Sequence, residues 1–359
     1  MSIHYINVVK QNKYSYLSYD LVLNRGFRFF TFLLIYNTND NELIKFFISF
    51  ESSCFFIRSL FNISLREDFF SNYYSSKKKY FDSFNFILLL SIFLIFLSIN
   101  NGSSILYGLC FGSLASRIDF YSVMLLKTNP LKSKLIESSI NILYFILVLL
   151  SFLFYKINED LIMITKLIST TPLFFLFFLQ KQNYSFKIPK PSFKVIPGAF
   201  YLGLLVFERI ILMFKEFSDI NKGNLFVLYM ATFLISLSNN IANFSWYESS
   251  STSNKFHIFI VLFSFSIATF GFYFSIYSII LLSNTILISS ILIKRPQLAK
   301  TLSKKKQIFS FLSLLLFFIL IINFPFNLNW LEFSFTLNLY ISVTYILIFY
   351  EYILYKRKI

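Results

Sequence analysis

Apolar runs of about 18–24 residues recur along the whole chain, at roughly 14–37, 44–63, 83–100, 104–126, 138–155, 161–180, 195–215, 224–246, 256–274, 276–293, 308–325 and 330–354. Coiled as a helix, a run of that length reaches across the ~30 Å hydrocarbon core of a bilayer. No other feature restricts the fold as strongly, because a water-facing surface could not absorb so much contiguous apolar side chain. Composition agrees: 56% of the residues are hydrophobic and 14% charged, with a mean hydropathy of +0.65, outside the range of a soluble domain of this size. The expectation is an all-α integral membrane protein with about twelve transmembrane helices.

The net charge of +16 does not point to nucleic acid, because the basic residues fall in short clusters between the apolar runs. If the N-terminus is placed in the cytoplasm and the runs alternate, the inner segments hold twenty-four Lys and Arg and the outer loops four. That is the positive-inside bias, and it predicts two cytoplasmic termini. The N-terminal "MSIHYINVVKQNKYSY" has neither the apolar region nor the small-residue cleavage site of a signal peptide, so the first run reads as an uncleaved anchor. The connections "SLREDFFSNYYSSKKKYFD" and "KRPQLAKTLSKKKQ" read as basic interfacial segments beside anionic headgroups. Cys54 and Cys110 lie in apolar segments. With no CxxC or His/Cys grouping, neither a disulfide nor a metal site is expected.

Laying "RFFTFLLIYNTNDNELIKFFISF" from Arg28 over "RIILMFKEFSDINKGNLFVLYM" from Arg209 gives an offset of 181 residues, close to half the chain. Six runs precede the second match and six follow from it. An even count gives both halves one orientation, so the chain reads as two parallel six-helix bundles, 1–185 and 186–359, around a central cavity.

Arg28, Glu51, Arg117, Lys166, Glu208 and Arg209 sit inside these runs, with Arg58 and Asp119 nearer their ends. Lys166 and Arg58 read as residues whose long stems let the charge reach an interface. Glu208 and Arg209 are neighbours and point about 100° apart on a helix, so they cannot share one partner. Two readings stay open. The charges can form interhelical salt bridges, or Arg28, Arg58, Arg117 and Arg209 can line a hydrated cavity that receives an anionic group. Arginine suits phosphate or pyrophosphate, because its planar fork donates two parallel hydrogen bonds and keeps its charge at any depth. Glu51 and Glu208 then balance the empty site or carry a coupling cation, H+ or Na+. No P-loop is present, so ATP is not the direct drive, and no cofactor is implied.

"LVFERIILMFKEFSDINKGNLFVLYMATFLISLSNNIANFSW" and "LLIYNTNDNELIKFFISFESSCFFIRSLFNISLRED" resemble segments of the O-antigen and polysaccharide flippases of the multidrug/oligosaccharidyl-lipid/polysaccharide (MOP) exporter superfamily. The resemblance rests on the acid-Arg pair Glu208-Arg209, the polar turn after it, Gly223 and the aromatic-rich segment beyond. Leu43 stands where that family has a glycine, and the chain is short for the family. The resemblance implies a transporter of the bacterial cytoplasmic membrane, not an enzyme. It would move an isoprenoid-pyrophosphate-linked oligosaccharide, an O-antigen or capsule repeat unit, to the outer leaflet by alternating access. Arg28, Arg58 and Arg209 match its cationic cavity. Its partners would be that lipid-linked oligosaccharide, membrane lipids, a coupling cation and glycan-assembly proteins. A membrane glycan polymerase or glycosyltransferase is the rival from the enzyme class, although such enzymes usually carry a large outer loop. A multidrug exporter of the same superfamily would call for an acidic, aromatic cavity.

Overall fold

The computed structural model describes residues 20–71, 105–112, 115, 130–178, 208–213, 217, 220–245, 254–301, 304–323 and 329–357. The chain divides into two compact units, Met1–Val195 and Ile196–Ile359, against the 185/186 division read from the sequence.

The first unit opens with a π-helical turn, Asp20–Gly26, that runs directly into α1 (Phe27–Tyr36). A tight turn follows, in which Asn39 takes a left-handed φ of 60°. Asparagine adopts that region more readily than bulkier residues. Asp40 then starts α2 (Asn41–Ser71) by accepting hydrogen bonds from the backbone N–H groups of Glu42 and Leu43 at 3.0 and 3.1 Å. Asn158 caps α4 (Glu159–Phe178) in the same way through the N–H of Leu161. α3 (Pro130–Phe154) packs against the π turn, α1 and α4, while α2 touches α1 and α4. Phe32, Ile35, Ile44, Phe47 and Phe50 form the core between α1 and α2, with Phe32 and Phe47 stacked at 6.2 Å.

The helical stretch 105–112 approaches α2 on two glycines one turn apart. A Cβ on Gly108 would sit 2.5 Å from the carbonyl oxygen of Phe50, and one on Gly112 would overlap Ile57 and the Cys54 carbonyl. This glycine-x-x-x-glycine spacing lets backbones meet where any side chain would hold them apart.

In the second unit α5 (Lys222–Ser245), α6 (Asn254–Tyr273) and α9 (Trp330–Arg357) surround α7 (Tyr277–Thr301), and α6 also meets α9. α8 (Lys304–Asn323) is tied to α9 by the Ser313–Tyr340 hydroxyl pair at 2.7 Å and by stacking of Phe317 on Tyr340. Asn221 caps α5 through the Asn224 N–H. Asn329 and Glu332 cap α9 reciprocally, each side chain accepting from the other's backbone N–H. A left-handed Ser275, φ 57°, turns α6 into α7.

Among the described residues no helix is long and apolar enough to cross a membrane. This overturns the expected integral membrane fold of about twelve transmembrane helices in two parallel six-helix bundles around a central cavity. The first apolar run shows why. Its described part is the seven-residue π turn and the ten-residue α1 that continues it, and together they rise about 25 Å at α-helical pitch, short of the ~30 Å required. Two of the longer helices carry charge along their length or at one end. The 31 residues of α2 include Glu42, Lys45, Glu51, Arg58, Arg66, Glu67 and Asp68. Helix α7 continues past Ile293 through Lys294, Arg295 and Lys300 to Thr301. Thus "SLREDFFS" and "KRPQLAKT", read as connections, belong to helices instead. The run at 83–100 lies outside the described residues, as do "NYYSSKKKYFD" and most of the run at 195–215.

Large apolar side chains nevertheless face outward in helical stripes: Ile258, Phe259, Leu262, Phe263 and Phe270 on α6; Phe309, Leu312, Leu316, Ile319 and Leu320 on α8; Leu339, Val343, Ile346 and Leu347 on α9. The buried faces of the same bundle carry Ser264, Ser283, Asn284, Ser334 and Asn338.

Candidate functional site

Each unit buries a polar centre. In the first, α3 supplies a stripe of Ser138, Asn141 and Tyr144 at helical spacing, with Ser138, Asn141 and Tyr144 all buried. At one level of this stripe Arg28 Nε donates to Asn141 Oδ1 at 3.1 Å, and Asn141 Nδ2 donates to Asn24 Oδ1. Asn24 and Arg28 lie four residues apart, one helical turn, across the junction of the π turn and α1, and both reach the same amide. Arg25, in the same turn, is buried. One turn along α3, Tyr144 presents its ring to Lys166 of α4, whose Nζ lies 4.3 Å from the ring centroid. Lys166 is only 2% exposed and pairs with Glu51 of α2 at 2.6 Å. Those two contacts are what the buried amino group meets at the end of its stem.

The centre in the second unit is a chain of hydrogen bonds that ends on Glu208. Ser264 and Ser283 lock α6 to α7 by donating to each other's carbonyl oxygens at 2.9 and 2.6 Å. Asn338 on α9 donates to Ser283 Oγ and to Asn284 Oδ1, both at 2.8 Å. Asn284 Nδ2 donates to the Ser334 carbonyl at 3.2 Å, and Ser334 Oγ donates to Glu208 Oε1 at 2.9 Å. Glu208 and Arg209 are both buried, and the guanidinium interacts electrostatically with Glu208, Tyr277 and Tyr229. Trp330 closes the aromatic side, 4.8 Å from Phe217 and 5.8 Å from Tyr277 between ring centroids. The donors converge on an acceptor at Glu208, which suits a carboxylate held beside a guanidinium.

The sequence-predicted residues therefore fall in separate surroundings. Arg28 belongs to the first centre with its amide partner, and Glu51 to the ion pair with Lys166. Lys166 is a buried partner and not the interface-reaching side chain expected from its position. Glu208 and Arg209 belong to the second centre. Arg58 lies in α2, but its side chain is outside the described residues, as is Arg117 altogether. Residues that sequence reasoning passed over are Asn24, Arg25 and Asn141 in the first unit and Ser283, Asn284, Ser334 and Asn338 in the second. A signal for the last set was present: Ser334, Asn338 and Ser342 recur every four residues along α9, and all three are buried. Small polar residues at that spacing mark a helix face that meets another polar face.

No family model, no curated protein and no solved structure matches this chain.

Proposed function

We propose that the chain moves an isoprenoid-pyrophosphate-linked oligosaccharide from the cytoplasmic to the outer leaflet of a bacterial cytoplasmic membrane. The observation that carries this reading is the partition of each bundle, with arginine-bearing polar centres inside and continuous stripes of Phe, Leu and Ile outside. Apolar outer faces suit contact with acyl chains, and buried guanidinium groups suit a pyrophosphate. Support for a lipid surrounding comes from those stripes and not from helix length. The resemblance of the Glu208-Arg209 segment to polysaccharide flippases supplies the substrate class. Glu208, and Glu51 when Lys166 releases it, are the acids available to a coupling cation.

Reconstitution in vesicles with a fluorescent lipid-linked oligosaccharide tests this. Protein-dependent appearance of the lipid in the opposite leaflet is expected, slowed by Arg28→Gln and by Arg209→Lys. Arg209→Lys keeps the charge but loses the fork. Movement no faster than in protein-free vesicles would sink the reading.

One observation favours a second reading, a membrane glycan polymerase or glycosyltransferase. Each unit has its own buried cation in its own polar centre, which suits two lipid-linked substrates, a donor and an acceptor. The same vesicles decide between the two. A ladder of longer glycans on a gel supports the polymerase, and unchanged glycan length with leaflet transfer supports the flippase.

A further inference from the structure

We propose that one end of the helical bundle in the second unit is a docking surface for anionic phospholipid headgroups, formed where the basic ends of α6, α7, α8 and α9 come together. The proposal goes beyond the function given above and is independent of the substrate moved.

The topology gathers these residues. α7 and α9 run side by side in one direction, because Tyr277 meets Trp330 near their starts, Asn284 meets Ser334 and Asn338 further along, and Ser290 meets Tyr345 beyond. Lys294, Arg295 and Lys300 of α7 therefore lie toward the same end as Lys356 and Arg357 of α9. α7 stops at Thr301 and α8 starts at Lys304, so Lys304, Lys305 and Lys306 join them. α6 runs the other way, with Ser264 against Ser283 and Gly271 against Ile279 and Ile280, which brings Lys255 at its start to that end as well. Acids do not offset the bases by number: the only ones in residues 254–357 are Glu332 and Glu351, and Glu332 is engaged in the cap at the opposite end of α9.

Two further observations point to lipid. First, the helix dipole does not account for all of the charge. Basic residues suit the C-terminal ends of α7 and α9, but at the starts of α6 and α8 they have the wrong sign for the dipole, and neither helix has an acid in its first turn. Second, exposed apolar side chains begin one turn beyond these bases. Ile258 and Phe259 follow Lys255 at 51% and 61% exposure, and Phe309 follows Lys306 at 73%. Lysines beside an outward stripe of Phe, Ile and Leu match the two layers of a leaflet, headgroup phosphates and then acyl chains. A polyanion such as RNA would meet the charge but gain nothing from the stripe.

The test is titration of the purified full-length protein, in a neutral detergent, with fluorescent phosphatidylglycerol, fluorescent phosphatidylcholine and a short single-stranded RNA. Phosphatidylglycerol should bind about ten-fold or more tighter than phosphatidylcholine at low salt, and the preference should shrink as salt is raised. The combined change Lys304→Gln, Lys305→Gln and Lys306→Gln should cut the preference about ten-fold or more. Its melting temperature should be unchanged or higher, because charges of the wrong sign leave a helix start. Lys356→Gln with Arg357→Gln, on a different helix, should cut the preference too and carries the test if the first variant misfolds. Equal binding of the two lipids overturns the proposal, as does a preference unchanged in the folded variants, or RNA that binds more tightly than phosphatidylglycerol at the same salt. Leaflet transfer by a protein without the lipid preference would keep the function and refute this surface. The preference without transfer would do the reverse.

Discussion

Replacing Lys166 with Met removes the ammonium while keeping most of the apolar stem, so it isolates the buried ion pair from the packing around it. Lys166 is 2% exposed. Its Nζ lies 2.6 Å from Glu51 Oε1, whose side chain retains 12% exposure. Breaking a buried pair by removing one partner costs about 3–5 kcal/mol, because the remaining charge is stranded. The residual exposure of Glu51 places this case at the lower end, about 3 kcal/mol. Loss of the cation over the Tyr144 ring adds about 0.5–1 kcal/mol. A total of about 3.5–4 kcal/mol corresponds to a melting temperature lower by roughly 7–16 °C, at about 2–4 °C per kcal/mol for a unit of this size. Fluorescence-detected thermal unfolding in detergent reads that shift. The double change Lys166→Met with Glu51→Gln should recover all but about 1 kcal/mol, since no charge is left stranded. A single variant as stable as the wild type, or a double variant no better than the single, would refute the reasoning.

Gly112→Leu places a side chain against Ile57 and the Cys54 carbonyl. It should cost about 1–3 kcal/mol, read as a lower melting temperature, with Gly112→Ala milder. Asn338→Leu leaves Asn284 Oδ1 without its α9 donor. It should cost about 1–3 kcal/mol in the same assay while keeping helical content by circular dichroism. The Glu159 carboxyl is raised above its ordinary range by partial burial and then by Asp160, Asp40 and Glu42. A folded-state value above the unfolded one means that protonation favours the fold, so this contribution is present below about pH 4 and lost as pH rises through the raised value. Glu159→Gln should accordingly raise the melting temperature at pH 7 and leave it unchanged near pH 4; a larger gain at pH 4 would reverse the sign of the argument.

Several features needed only the sequence. Helix starts at Asp40, Asn158, Asn221 and Asn329 follow from short polar side chains that reach the next turn's N–H groups, a contact within four residues. Arg28, Glu51, Glu208 and Arg209 stood out because isolated charges within apolar runs demand partners. Which partners they take was decided only by the tertiary structure. Glu51 meets Lys166 across 115 residues and Glu208 meets Ser334 across 126, separations over which residue spacing carries no information. Counting apolar runs failed as a guide to spanning helices for a related reason. An average over twenty residues registers hydrophobicity, but it does not show that a π turn divides the first run, or that α2 and α7 continue into charged segments. The amide of Asn141 is the clearest case: in sequence it is one polar residue in a helix, and only the packing of α3 on the π turn places it between Asn24 and Arg28.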